Sequence, residues 1–289
     1  MNITFKNEIK LQDNLDGKKI VDLILKSRHI KNIPEFLNPP SPLSLILEDF
    51  GSYKKSFAKV IKILQEIKEK NQMIVVYTDY DADGITGGAI LWETLYLLGF
   101  EVMPYVPHRK LEGYGFSKIG IDNVKKKFDP ALIISVDHGI TKVDEIKYAV
   151  KLGIKIIVTD HHLKGDKIPQ KAEAIFHIPA LSGSGVSYFF AKEIFNWFST
   201  SAVEEQSGKT AEVYKVLANN FAVDYASLAS IGTIADLVPL VGPSRSLVKY
   251  GLKNFNKVKR FGIKHIIKQA GIQDKMITPY EVGFMIAPN

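Results

Sequence analysis

The chain has 289 residues, a formal net charge of +7 and no cysteine. This length accommodates one large domain or two small ones. The lack of cysteine excludes disulfides and thiolate-bound zinc, so a bound metal would need oxygen and imidazole ligands. The basic charge is compatible with a polyanionic partner such as nucleic acid, although Lys-rich proteins from AT-rich genomes share it.

The sequence predicts no association with a membrane. No apolar run approaches the roughly 20 residues that a transmembrane helix needs. The N-terminal residues MNITFKNEIKLQDNL lack the basic and apolar regions of a signal peptide. We therefore expect a cytoplasmic protein.

The first 53 residues are predicted to be irregular, with a proline-rich turn or extended piece over 36–42. Residues 53–70 carry apolar side chains at helical spacing, which predicts an amphipathic helix with its lysines in solvent. We expect residues 1–70 to form an N-terminal extension and a leading helix. The apolar positions of that helix are Phe57, Val60, Ile61, Ile63, Leu64 and Ile67.

An apolar, β-branched run then precedes three carboxylates at alternate positions. The segment Val75–Gly84 reads VVYTDYDADG, and its apolar part predicts a buried strand. Because alternate residues of an extended chain point the same way, we expect Asp79, Asp81 and Asp83 to crowd onto one side. Close anions repel one another unless a cation lies among them, which favours a metal site. An acidic turn in water is the alternative.

Two later apolar runs also end in aspartate. Residues 131–137 read ALIISVD, and residues 154–162 read IKIIVTDHH. Ligands of an open parallel sheet bind outside the carboxyl ends of its strands, so we expect one crevice with mixed Asp and His ligands. Such a set suits Mn²⁺ or Mg²⁺ better than structural zinc. Its predicted members are Asp79, Asp81, Asp83, Asp137, Asp160, His161 and His162.

Helices are predicted between these strands. The alternation predicts an α/β fold with a doubly wound, mainly parallel sheet flanked by helices, joined by right-handed crossovers. The predicted helices span 85–98, 116–128 and 142–152, and further strands span 101–106 and 172–177.

The loop 107–115, PHRKLEGYG, combines cations, an aromatic side chain and two glycines. We expect it to bind a substrate phosphate at His108, Arg109, Gly113 and Tyr114, with Lys110 as a further candidate contact. The guanidinium of Arg109 would be the main contact, because its planar fork matches phosphate oxygens. A solvated turn is the alternative.

The C-terminal part is predicted to be helical. Residues 225–235 are apolar almost all round, which predicts a buried helix. This helix ends at Asp236 within IADLVPL, where a carboxylate is costly unless it is paired or bound to a metal. Asp236 is thus a candidate ligand, the alternative being a helix end before Pro239. Further helices are predicted over 182–198, 211–221, 244–257 and 263–270.

Four ordered segments together resemble the motifs of the DHH phosphoesterases. They are DYDADGIT at 79–86, SVDHGI at 135–140, VTDHH at 158–162 and GTIADLVPL at 232–240. The RecJ branch is the most similar, because the GYG loop and the FLNP stretch at 36–39 also resemble it. The resemblance covers roughly residues 31–289.

This resemblance implies a site for two divalent ions, Mn²⁺ or Mg²⁺. Asp81 and Asp83 would be the ligands of the first motif and Asp137 a bridging ligand, with His161 and Asp236 as the ligands of the third and fourth motifs. Such ions bind the scissile phosphate and lower the pKa of a water, so no Ser or Cys nucleophile is expected.

The resemblance also implies catalytic roles for Asp160, His161 and His162. One of the histidines would orient the phosphate or protonate the leaving group, and the sequence leaves open which of them does so.

Members of the RecJ branch degrade single-stranded DNA from the 5′ end. The resemblance thus implies a 5′-to-3′ exonuclease of DNA repair and recombination, whose partners are single-stranded nucleic acid and repair proteins. Residues 71–240 would form the catalytic domain and 241–289 the helical start of a linker, without the C-terminal domains of RecJ. The alternatives are a phosphodiesterase of oligonucleotides or cyclic dinucleotides, and a non-catalytic DHH scaffold module.

Two residues depart from the family pattern. Tyr77 stands where many DHH enzymes carry a histidine, four residues before the first ligand, so one metal position is expected to be weaker or completed by water. His138 stands where RecJ-like sequences often have another residue, and it is a candidate additional ligand.

Overall fold

A computed structural model describes residues 16–113, 115–201 and 208–289. The chain divides into two compact units, residues 1–40 and residues 41–289. The first unit contains helices α1 (Gly17–Ser27) and α2 (Ile33–Leu37). Asp16 and Asn32 cap them by accepting hydrogen bonds from the backbone N–H groups three residues on. The prediction of an irregular N-terminal region is therefore wrong here, because these cap positions were overlooked.

The second unit is built on a five-stranded sheet in which every pair is parallel. The strand order is β2-β1-β3-β4-β5. This confirms the predicted α/β class and the doubly wound parallel sheet. The strands are β1 (Ile74–Thr78), β2 (Val102–Tyr105), β3 (Leu132–Val136), β4 (Lys155–Asp160) and β5 (Ala174–His177).

Helices flank the sheet of the second unit, which also contains 3₁₀ turns at Leu47–Asp49 and Phe255–Lys257 and a π-helical turn at Val282–Ile286. The predicted helices agree with the observed ones to within a few residues at each end. The short helices Arg109–Glu112 and Pro279–Glu281 were not predicted. The helices are α3 (Lys54–Glu69), α4 (Ala82–Leu97), α5 (Arg109–Glu112), α6 (Lys118–Phe128), α7 (Val143–Lys151), α8 (Gly183–Ser201), α9 (Gly208–Ala222), α10 (Asp224–Ala235), α11 (Gly242–Asn254), α12 (Phe261–Gln269) and α13 (Pro279–Glu281).

Two apolar layers cover the faces of the sheet. Ile74 and Val76 of β1 belong to the larger layer, formed with α3, α4, α8 and α10. Val75 and Tyr77 belong to the smaller layer, formed with α6 and α7. Successive strand residues point to opposite faces of the sheet. Because both faces are buried, β1 is a continuous run of mainly apolar residues.

The strand order reverses between β1 and β3, whose neighbours on the outer sides are β2 and β4. Crevices at such switch points bind ligands outside the carboxyl ends of the strands. Asp79 directly follows β1, and Asp137 directly follows β3. Among the described residues, no helix is both long and apolar enough to span a membrane.

Candidate metal centre

The first acidic motif is not an extended strand, contrary to the expectation from its alternating spacing. Strand β1 ends at Thr78, and α4 begins at Ala82. Asp81 is the N-cap of α4, and its Oδ1 accepts hydrogen bonds from the backbone N–H groups of Asp83 (3.0 Å) and Gly84 (2.9 Å). Asp83 lies in the first turn of the same helix. The carboxylates are thus positioned by a helix N-terminus, where the unsatisfied N–H groups favour acidic side chains.

Asp83 is held in turn by the N-terminus of a second helix, α8. Its Oδ2 accepts a hydrogen bond of 2.6 Å from Gly183 N, and its Oδ1 accepts one of 2.9 Å from Ser184 N. A side chain at residue 183 would collide with Asp137, because a Cβ atom there would lie 2.3 Å from Asp137 Oδ1. Gly183 therefore allows α8 to meet two acidic motifs at once.

Asp137 turns its carboxylate into the same crevice. Its backbone has φ 67°, a left-handed conformation that aspartate tolerates better than most residues. The side chain is 2% exposed, and its Oδ1 accepts no hydrogen bond from the described residues. Burial, followed by the charges of Asp83 and Asp81, raises the pKa of Asp137 well above its usual value. A divalent cation would remove this cost by compensating the buried charge.

His161 lies between the carboxylates of three motifs. Its Nε2 is 3.1 Å from Asp137 Oδ1, 3.5 Å from Asp236 Oδ2 and 3.9 Å from Asp83 Oδ2. This buried nitrogen also has no hydrogen-bond partner among the described residues. Asp236 caps the C-terminal end of α10, and burial together with the charge of Asp83 raises its pKa.

Asp160 lies behind the histidines and orients one of them. Its Oδ1 accepts hydrogen bonds from the backbone N–H of His161 (2.7 Å) and from His162 Nδ1 (2.8 Å), and its Oδ2 accepts one from Ile140 N (2.8 Å). Burial alone would raise the pKa of Asp160, but the hydrogen bonds from His162 and Ile140 lower it to about 2. The bond to Asp160 raises the pKa of His162, whose side chain is 41% exposed.

The described residues contain three groups of side chains whose ligand atoms all lie within 4.8 Å of one another. Asp137 and His161 each belong to two of these groups, so neighbouring cations could share them. The donors are carboxylate oxygens and imidazole nitrogens, and the unpartnered Asp137 Oδ1 and His161 Nε2 point into the cluster. This donor set fits Mn²⁺ or Mg²⁺. The groups are Asp137, His161 and His162; Asp83, His161 and Asp236; and Asp79, Asp81 and Asp137.

The two residues that depart from the family pattern face away from this cluster. Tyr77 is fully buried in the smaller apolar layer, where its ring packs against those of Tyr105, Phe116 and His138. His138 is buried as well, and its Nε2 is 3.1 Å from the carbonyl oxygen of Tyr77. Neither belongs to a potential metal-binding group among the described residues.

The loop 107–115 stands beside the first motif. The guanidinium of Arg109 lies over the ring of Tyr80, 5.1 Å from its centre, and the backbone N–H of Tyr80 donates to Asp79 Oδ1. His108 is exposed and precedes helix α5. Gly113 ends that helix with φ 85°, a conformation that favours glycine. Tyr114 lies outside the described residues.

Sequence reasoning missed the contribution of α8 and of one glycine in α10. A Cβ atom at Gly232 would lie 2.3 Å from both Asp83 Oδ1 and Ser184 Oγ, so this position also requires a close approach. The segment SGSGVS at 182–187 was the available signal, because its small residues precede a helix whose N–H groups can meet an anion.

The sequence matches the family described as "DHH family, N-terminal domain" over residues 73–233. The chain belongs to the DHH family. The matched region contains the first three DHH motifs and the start of the fourth. The predicted family membership is therefore confirmed.

Curated relatives have the name single-stranded-DNA-specific exonuclease RecJ. The protein of Bacillus subtilis is 35% identical over 227 residues, which are 78% of this chain and 27% of that protein. The protein of Thermus thermophilus is 34% identical over 243 residues, which are 81% of this chain and 32% of that protein. This chain thus spans only about a third, or less, of the length of these two relatives.

Solved structures of RecJ are also similar. A crystal structure of exonuclease RecJ bound to manganese superposes with a TM-score of 0.65 at 32% identity, over 84% of this chain and 57% of that one. The structure of Thermus thermophilus RecJ in complex with Mn²⁺ gives 0.65 at 29% identity, over 91% and 35%.

Proposed function

We propose that this DHH chain hydrolyses phosphodiester bonds with Mn²⁺ or Mg²⁺. The observation that carries the proposal is the meeting of Asp137 Oδ1 and His161 Nε2, two buried atoms 3.1 Å apart that lack hydrogen-bond partners among the described residues. Buried polar groups without partners are costly, so their convergence among further carboxylates favours a bound cation.

The candidate ligands are those of the three groups above, and we assign no separate nucleophile. When bound, two divalent ions would supply Lewis-acid activation of a water and charge stabilisation at the phosphate. The carboxylates fix these positions before substrate arrives, because helix N-termini hold Asp81 and Asp83 by backbone N–H groups.

His162 is proposed to hold a proton at the edge of the site. The hydrogen bond from its Nδ1 to Asp160 favours the protonated ring, and its partial exposure leaves the ring accessible to substrate. A protonated imidazole there can neutralise phosphate charge or donate to the leaving oxygen. In this proposal Asp160 acts through His162 as a positioning residue.

The proposed substrate is single-stranded DNA, the substrate class that the names of the RecJ relatives state for those proteins. Degradation from the 5′ end is proposed with it, as the resemblance to the RecJ branch implies. Arg109, stacked on Tyr80 beside the first motif, is the proposed phosphate contact, with His108, Gly113 and Tyr114 in the same loop. The role in DNA repair and recombination, repair-protein partners and a cytoplasmic location belong to the same proposal. So does the assignment of residues 71–240 as the catalytic domain.

The test is incubation of a 5′-phosphorylated DNA single strand and of a dinucleotide with Mn²⁺, beside the Asp83→Ala and His161→Ala variants. The matched control is Asp144→Ala, an exposed aspartate of α7. Release of nucleotides from the 5′ end, lost in both site variants and kept in the control, is the expected result.

Preferential cleavage of the dinucleotide would instead favour an oligonucleotide phosphodiesterase. No hydrolysis of either substrate and no Mn²⁺ binding would overturn the enzyme proposal and leave a DHH scaffold.

A further inference from the structure

The net positive charge of this chain is concentrated in one C-terminal segment. Residues 245–275 contain nine of the 38 Lys and Arg residues but one of the 31 Asp and Glu residues. The segment therefore carries a formal charge of +8, and the rest of the chain carries −1. All seven lysines of the segment are exposed. A basic surface next to a neutral remainder is the electrostatic footprint of a polyanion-binding face.

Part of this segment forms a groove of about 710 Å³, a volume in the range of ligand clefts. It lies between α11 and the stretch before α13, and Lys249, Lys253 and Lys275 line it. Its lining includes the apolar side chains of Leu252 and Ile277 and no acidic residue. Neither Lys253 nor Lys275 forms an ion pair with a carboxylate among the described residues, although the charge of Lys275 acts on Glu281 at longer range.

Helix α10 lies between the groove and the metal centre, because α11 packs closely on its N-terminal part and Asp236 ends it. A Cβ atom at Gly251 of α11 would lie 2.4 Å from the carbonyl oxygen of Ala226, and Ser227 Oγ donates to the carbonyl oxygen of Gly251. Asp236 stands at the other end of α10, ten residues after Ala226. Ten helical residues span about 15 Å, so the contact between α10 and α11 lies about that far along α10 from Asp236.

We propose that this groove binds the backbone of a nucleic acid strand at phosphates several nucleotides away from the cleavage site. The inference rests on the proposed function, because it extends the same substrate along the surface. The lysines would contact successive phosphates, and the apolar floor would accommodate bases or sugars. Charge complementarity selects this occupant, since the phosphates of a strand are anions and the groove is lined by three exposed lysines and no acidic residue.

The experiment measures binding of a long, fluorescent thymidine single strand in EDTA over a range of KCl concentrations, so that cleavage does not interfere. The test variant is Lys253→Gln with Lys275→Gln. The matched control is Lys126→Gln with Lys151→Gln, two exposed lysines outside the segment. A Lys253→Arg, Lys275→Arg variant retains the charge and reports on any structural effect of the substitutions.

The Gln variant is expected to bind the strand about tenfold more weakly at low salt. The slope of log K against log salt should flatten by about 1.4, because each phosphate contact on a single strand contributes about 0.7. The control and the Arg variant should match the parent. With Mn²⁺ present, the ratio of the cleavage rate on the long strand to that on a dinucleotide should fall in the Gln variant.

An unchanged slope in the Gln variant would overturn the inference. So would a loss of binding to phosphatidylserine vesicles with unchanged strand binding, which would assign the groove to a membrane surface. Failure of the proposed function is separately visible, because the parent would then hydrolyse neither substrate, whereas strand binding in EDTA is measured without catalysis.

Discussion

Asp137 lowers the stability of the metal-free protein but is well placed to bind a cation. Its carboxylate is buried beside Asp83, its Oδ1 lacks a hydrogen-bond donor among the described residues, and its backbone is left-handed. The buried charge and the missing donor are unfavourable in the absence of a cation, and the left-handed backbone adds a cost of its own. Together they indicate that the function of Asp137 is to bind a cation rather than to stabilise the fold.

Asp137→Asn is predicted to stabilise the metal-free protein while it weakens metal binding. Asparagine tolerates the left-handed backbone and removes the buried charge, so the free energy of unfolding in EDTA should rise by about 1 kcal/mol. The affinity for Mn²⁺ should fall at least tenfold, on the order expected for the loss of a metal-site interaction. Thermal denaturation with and without Mn²⁺ measures both effects. If the metal-free Asn variant were less stable than the parent, the buried charge of Asp137 would not be the cost that we infer.

The stabilisation conferred by Mn²⁺ is predicted to grow as the pH rises. The pKa values of Asp137 and Asp236 are higher in the folded chain than in the unfolded one. The folded chain therefore binds more protons, and its free energy of unfolding falls as the pH rises from the ordinary carboxyl pKa through the raised values. A cation favours the ionised carboxylates and opposes this loss.

This pH dependence is measured as the difference in melting temperature between Mn²⁺ and EDTA from mildly acidic to neutral pH. Asp137→Asn is the control, and its difference should change less with pH. A difference that shrinks as the pH rises would refute the prediction.

At the scale of secondary structure elements, two helix N-termini converge on the first acidic motif. Helix α4 presents N–H groups to Asp81, and α8 presents N–H groups to Asp83. Since the positive ends of both helices face carboxylates, the helices reduce the repulsion among anions before any cation binds. The close approach of α8 depends on glycine at residue 183.

Gly183→Ala is predicted to damage the site by displacing α8. The added methyl group would meet Asp137 and separate the backbone N–H groups from Asp83, so we expect a loss of about 2 kcal/mol in stability and weaker Mn²⁺ binding. Gly262→Ala in α12 is the matched control, because nothing lies within 4 Å of its Cβ position. That control should gain about 0.5–1 kcal/mol from helix propensity. Chemical denaturation and Mn²⁺ titration distinguish the two variants.

At the scale of the whole molecule, the metal centre belongs entirely to the unit of residues 41–289. The start of this unit is fixed by a buried lysine of α8. Lys192 is 3% exposed, and its Nζ donates to the carbonyl oxygens of Pro42, Leu43 and Leu45. Without these acceptors the ammonium group would be buried unsatisfied.

A fragment of residues 41–289 is predicted to unfold cooperatively and to bind Mn²⁺, because it retains the sheet, both apolar layers and every candidate ligand. A fragment of residues 47–289 should lose at least about 1–3 kcal/mol, the cost of the unsatisfied Lys192. The second fragment carrying Lys192→Met is the control and should recover part of that loss. Equal stability of the 41–289 and 47–289 fragments would contradict the proposed role of Lys192.

The sequence by itself determined the sheet and the positions at which its strands end. The β-branched runs before Asp79, Asp137 and Asp160 can be buried only as central strands, and parallel strands bring their carboxyl ends to one edge. The ordered motifs then indicated which residues meet there. Local patterns sufficed because each signal lies within a few residues of the side chain it concerns.

Only the tertiary structure decided how those side chains are held. The hydrogen bond from Gly183 to Asp83 joins residues 100 positions apart, and its existence depends on the packing of α8 against α4. Packing also decided that Tyr77 faces the apolar layer and that Asp236, at the end of α10, lies 3.5 Å from His161. Such contacts follow from the three-dimensional fit of whole elements, which local sequence patterns do not specify.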